Sequence, residues 1–99
     1  MSRRAAKVDN SQAAIVSALR DVGASVAITS TVGKGFPDLV VGFRRRTYCI
    51  ECKSLTGKRD PKPEPLTPDQ VRWHQEWRGH VAVVATAEEA REAIGAVVT

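Results

Sequence analysis

Between Ser25 and Lys53 the chain holds three short, β-branched segments with no helical periodicity between them, and this limits the possible folds more than any other feature. Ser25 to Thr31 (SVAITST) alternates apolar and polar residues, as a half-buried strand does. Gly33-Lys34-Gly35 breaks that pattern, and Pro37 sets the backbone for the segment that follows. Asp38 to Phe43 (DLVVGF) reads as a second strand and Tyr48 to Lys53 (YCIECK) as a third. Arg44 to Thr47 is short enough for a hairpin. It lacks the Asn-Gly or Gly of a tight primed turn, so a slightly longer turn with an arginine at its tip is expected. Three strands in succession predict an antiparallel meander.

Helical signals flank the meander. Residues 1–8 read as a flexible basic arm. From Asp9 on, Ile15, Ala18, Leu19 and Val22 recur at helical spacing, with Asp9 or Ser11 as the cap and Gly23 as the stop. Ser54 to Leu66 holds three prolines and a glycine, and reads as a mobile loop. Thr67-Pro68-Asp69-Gln70 is a capping-box start with proline at the first helical position, opening a helix to about Arg78. His80 to Ala85 reads as a fourth strand, and Thr86-Ala87-Glu88-Glu89 opens a last helix through about Ile94, with Ala90 and Ile94 in the core. The order is αβββαβα. The fourth strand follows a helix, so it joins by a crossover and makes the four-stranded sheet mixed.

At 99 residues the chain is one small domain, from 9 to 99. A core of this size leaves modest stability, which favours an oligomer. No run approaches the roughly 20 apolar residues of a membrane span. The basic N-terminus has no apolar run after it, so a cytoplasmic location is expected. Fifteen Lys+Arg against eleven Asp+Glu give +4, which suits a polyanionic partner. The excess sits in Arg3, Arg4 and Lys7, in Arg44, Arg45 and Arg46, and in Lys58, Arg59 and Lys62.

On the third strand Glu51 and Lys53 share a face, while Tyr48, Ile50 and Cys52 take the other. A hairpin through 44–47 brings Asp38 to the Glu51 end. Two neighbouring carboxylates repel unless a cation lies between them. Mg²⁺ suits such a pair and keeps several waters. A nearby lysine can then orient or deprotonate an attacking water. The bland alternatives are a turn-initiating Asp38 and a solvent-facing Glu51–Lys53 pair worth under about 1 kcal/mol.

Gly35 to Gly42 (GFPDLVVG), Tyr48 to Ser54 (YCIECKS) and Leu66 to Trp77 (LTPDQVRWHQEW) together resemble the VRR-NUC branch of the PD-(D/E)XK nucleases. The resemblance spans about Asp9 to Ile94. It implies a restriction-endonuclease-like αβββαβ core with a C-terminal helix. It also implies Mg²⁺ or Mn²⁺ held by Asp38, Glu51 and the Cys52 backbone carbonyl, with Lys53 as catalytic lysine and Gln70 beside the site. Gln70 is equally the capping partner of Thr67. Family members often carry an acidic residue on the first helix, and here Asp9 or Gln12 takes that place.

The expectation is therefore a metal-dependent DNA endonuclease, acting as a homodimer on branched DNA such as a four-way junction, without an organic cofactor. The rivals are a nicking or flap nuclease dependent on partner proteins, and a non-cleaving DNA-binding module. Arg44, Arg45, Arg46, Lys58 and Arg59 are candidate DNA contacts. Trp73 and Trp77 read as core or dimer packing, and His74 as a helix-surface residue. Cys49 and Cys52 spell CxxC, but on a strand they point to opposite faces with Cα atoms about 10 Å apart, too far for a disulfide. His74 and His80 complete no familiar zinc spacing.

Overall fold

Alternation along the apolar segments decides how the sheet is covered. The computed structural model describes residues 3–96, with side chains from Ser11 onward. Helix α1 (Arg3–Asp21) is followed by strands β1 (Ser25–Ile28), β2 (Leu39–Phe43) and β3 (Arg46–Cys52). A short ribbon of β4 (Leu55–Thr56) and β5 (Lys62–Pro63) comes next, then α2 (Pro68–Glu76), β6 (Val81–Val84) and α3 (Ala87–Ala93). The main sheet runs β1-β2-β3-β6, antiparallel except for the parallel β3–β6 pair, as the crossover through α2 requires. This is the expected mixed four-stranded, restriction-endonuclease-like arrangement.

One sheet face is covered by α1 and α3. Ile15 and Leu19 of α1, Leu39 and Val41 of β2, Ile50 of β3, and Ala90 of α3 are fully buried together. Each large aliphatic among them contributes about 1.5–3 kcal/mol by leaving water. Ala90 and Ile94 are core residues, as their spacing predicts. The other face is covered sparsely. Helix α2 has no buried residue, and Val83 on β6 is exposed.

Several boundaries differ from expectation. Helix α1 starts at Arg3, so the stretch expected as an arm is helical from there on, and Asp9 and Ser11 lie inside the helix rather than at its cap. Arg3 to Lys7 are good helix formers with no breaker among them. Strand β1 stops at Ile28, and the Thr29 N–H adds one last bond to the Asp38 carbonyl before the chain turns. The loop expected after β3 contains the β4–β5 ribbon, whose turn Gly57 allows at φ 106°. The second capping box is half formed. Thr86 accepts from the Glu89 N–H, but the Glu89 carboxylate takes the Ala85 N–H at 2.7 Å instead.

The β2–β3 turn is the clearest departure. Phe43 pairs with Arg46, so the loop is only Arg44-Arg45, and both have positive φ, 51° and 68°. That is the primed geometry which matches strand twist, here made without glycine or asparagine. The left-handed conformation costs a non-glycine residue about 1–2 kcal/mol, and the pairing of five residues on either side offsets it.

Gly35 couples the bend before β2 to α2. It has φ 83°, and a Cβ there would meet the Asp69 carbonyl and lie 2.9 Å from the Gln70 nitrogen. Gly35→Ala should therefore destabilise the protein by about 2–3 kcal/mol and loosen the start of α2. Urea unfolding with hydrogen exchange at the Gln70 and Val71 amides measures both effects.

Candidate active site

The β2–β3 register decides which side chains meet. Leu39 pairs with Ile50, which places Asp38, one residue earlier, beside Glu51 and Cys52. The Cys52 N–H donates to Asp38 Oδ2 at 2.9 Å, fixing that carboxylate against β3. The Lys53 N–H donates to the Val84 carbonyl at 2.9 Å, so the pairing with β6 continues to the residue that carries the ammonium. Asp38, Glu51, Cys52 and Lys53 then line one cleft of about 990 Å³, walled by α1 and by the ribbon after β3.

Glu51 is the most unusual group in it. Its side chain is 2% exposed. Gln70 Nε2 donates to its Oε2 at 2.9 Å, while Oε1 is buried with no hydrogen-bond partner. Burial first, and the Asp38 carboxylate second, push its pKa up to about 8, with Lys53 pulling the other way. A buried carboxylate oxygen without a partner, beside a second carboxylate, fits a hard divalent cation. Among the described residues no group of three His, Cys, Asp or Glu side chains converges to hold a metal. Asp38 and Glu51 are the two carboxylates that meet here.

Gln70 does two things with one amide. Its Oε1 accepts the Thr67 N–H at 2.9 Å and its N–H donates to the Thr67 hydroxyl, closing the capping box. Its Nε2 meanwhile holds Glu51. It does not line the cleft, so it acts on the site through Glu51.

The remaining predicted residues divide by position. Gln12 lines the cleft, but its amide is shared with the Ser30 hydroxyl at 3.1 and 3.3 Å. The Asp9 side chain lies outside the described residues. Lys58 and Arg59 are exposed at the ribbon turn and do not line the cleft. Arg44, Arg45 and Arg46 lie at the opposite end of β2 and β3.

Trp73 and Trp77 are outside the core. They stack at 4.7 Å where α2 ends and Trp77 caps it, with Phe36 edge-on to Trp73 and Trp77 still 41% exposed. His74 is not a plain surface residue. It is half-buried, its Nε2 is enclosed without a partner, and burial followed by the Lys53 charge lowers its pKa. Cys49 and Cys52 are free thiols, both raised in pKa by burial, Cys52 to about 12. Neither is poised as a nucleophile.

Sequence reasoning missed Glu64 and Ser54 in the cleft wall. The ribbon places them there: the Glu64 N–H donates to the Ser54 carbonyl at 3.0 Å. The only sequence signal was their position just beyond Lys53.

No family model matches the chain, and neither does any curated protein. A solved structure described as "VRR_NUC domain" is similar to it, with a TM-score of 0.64 and 27% identity over 89% of this chain and 94% of that one.

The raised Glu51 pKa has a consequence for stability. Between about 4.5 and 8 the folded, metal-free protein keeps this proton and the unfolded chain does not. Stability should therefore fall as pH rises through that window. Glu51→Gln should flatten the slope and melt higher than the wild type at pH 8. Thermal melts in a chelator across this range are the measurement, and a wild-type curve as flat as the variant's would contradict the assignment.

Proposed function

The chain is a VRR-NUC domain, and from that premise we propose that it is a divalent-metal-dependent endonuclease cleaving phosphodiester bonds in DNA. The observation that carries this reading is the buried, unpartnered Glu51 Oε1 next to Asp38, with Lys53 on the same wall. Asp38, Glu51 and the Cys52 carbonyl would hold Mg²⁺ or Mn²⁺. Such an ion acidifies a water and offsets charge developing on phosphate.

The chain's own groups have separable tasks. The Cys52 N–H keeps Asp38 from swinging away, and Gln70 fixes one oxygen of Glu51 while the other has no hydrogen-bond partner. Lys53 stands on a backbone pinned to β6, where its ammonium can orient the attacking water and take part of the developing negative charge. His74, kept neutral by burial and by Lys53, adds no second positive charge at that point.

We extend the reading to a homodimer acting on branched DNA in the cytoplasm of a bacterial or phage-infected cell. Exposed apolar side chains support the dimer: Val71 on α2, Trp77 at its C-cap, and Val83 on β6. Size-exclusion chromatography with light scattering should return twice the chain mass of 10.7 kDa, and Trp77→Arg should return the monomer.

The activity is tested with linear, flapped and four-way-junction DNA, with and without Mg²⁺ or Mn²⁺. Cutting should require the metal and favour the junction. Asp38→Ala should abolish cutting, and Lys53→Ala should lower its rate by about 10²–10⁴-fold. Metal-dependent cutting that survives both substitutions would remove these residues from the mechanism. Salt-sensitive binding with no cutting of any substrate would make the chain a binding module.

Below pH 8 an incoming ion must displace the Glu51 proton. Titration calorimetry at pH 7 in buffers of different ionisation enthalpy should show about one proton released per ion bound. Glu51→Gln should release none.

A further inference from the structure

A polyanion needs a cationic surface to hold it, and the catalytic cleft is not one. Its wall carries Asp21, Asp38, Glu51 and Glu64 against Arg20 and Lys53. Arg20 is also turned aside, its guanidinium donating to the Val26 carbonyl at 3.2 Å. Without a bound cation, this cleft offers DNA no net attraction.

The opposite end of the β2–β3 hairpin has the reverse character. A concavity of about 410 Å³ is bounded by Arg44, Arg45 and Arg46, with Gly23, Ser25 and Gly42 among its other lining residues and no acidic group in its wall. All three arginines are exposed. The ion pairs among the described residues are Lys62–Asp60 and Arg72–Asp69, and none of the three arginines pairs with a carboxylate among those residues. Arg44 lies over the Phe43 ring at 4.9 Å, which limits where its guanidinium can go.

The turn itself is built against conformational preference. Arg44 and Arg45 both adopt the left-handed region, where asparagine and glycine are at ease. Hairpin closure does not need arginine at either position. What arginine adds is two exposed guanidinium groups at the end of the hairpin.

We propose that the Arg44-Arg45-Arg46 turn is a phosphate-binding anchor that grips duplex DNA at a distance from the scissile bond. This rests on the reading of DNA as the substrate. Six residues of extended chain separate Arg44 from Asp38, about 20 Å, which is roughly six base pairs of duplex. The anchor supplies affinity that the acidic cleft cannot, and it sets a minimum length of duplex on one side of the cut.

The test is a binding measurement in a chelator, where no cleavage occurs, by fluorescence anisotropy on a duplex of about 20 base pairs. The variant Arg44→Asn with Arg45→Gly places the favoured residues in the same turn. It should melt at or above the wild-type temperature. It should bind the duplex about tenfold more weakly, with the slope of log K against log salt reduced by about 2. Arg44→Lys with Arg45→Lys should recover much of the lost affinity, and Arg45→Glu should weaken binding further.

An Asn-Gly variant that binds the duplex as tightly, with an unchanged salt slope, would overturn the anchor. So would a wild type that does not bind the duplex. Because no metal is present, failure of the anchor appears here as an unchanged salt slope. Failure of the nuclease reading appears in the cleavage assay instead.

Discussion

The hydrogen bond from the Cys52 N–H to Asp38 Oδ2 joins the two strands at the point where chemistry is expected, and it exists in only one register. A slip of one residue would turn Glu51 and Lys53 toward Ile15 and Leu19, where neither charge has a partner. The core on one face and the carboxylates on the other are therefore set by the same pairing. The two-residue turn at Arg44-Arg45 closes that pairing at its far end. Strain at one end of the hairpin and geometry at the other belong to one unit.

The second constraint is the thin covering over the outer sheet face. Glu51 is buried there without an apolar layer of matching size, because α2 has no buried residue of its own. Helix α2 is held instead by discrete contacts: Phe36 against Trp73, Gly35 against the Asp69 carbonyl, and Gln70 on Glu51. An element attached this way is cheaper to displace than one sunk in the core.

Much of this was legible in the residues. Strand alternation put Glu51 and Lys53 on one face, and Thr67-Pro68 with Gln70 announced the start of α2, which ends at Glu76 rather than at about Arg78. Both rest on local periodicity or capping, which a short window contains. The Arg44-Arg45 turn was not legible, since its φ values follow from strand register rather than from any preference of arginine. Glu64 entered the cleft through a two-residue ribbon that three prolines had disguised as loop. The enclosure of His74 depends on how α2 lies over Lys53, a tertiary fact with no local trace. Helix α1 began early because nothing between Arg3 and Asp9 opposes a helix, whereas the apolar stripe that marks a buried face starts only at Ile15.

The shared amide of Gln70 ties two equilibria together. Its oxygen belongs to the first turn of α2 and its nitrogen to Glu51, so neither can change without the other feeling it. A change of charge or ligation at Glu51 alters the bond that steadies the helix start, and fraying of that start frees Glu51. By reciprocity, whatever orders the carboxylate must also tighten the helix. The Trp73 indole, one turn further along α2, is thus a built-in optical reporter of events at the Glu51 carboxylate.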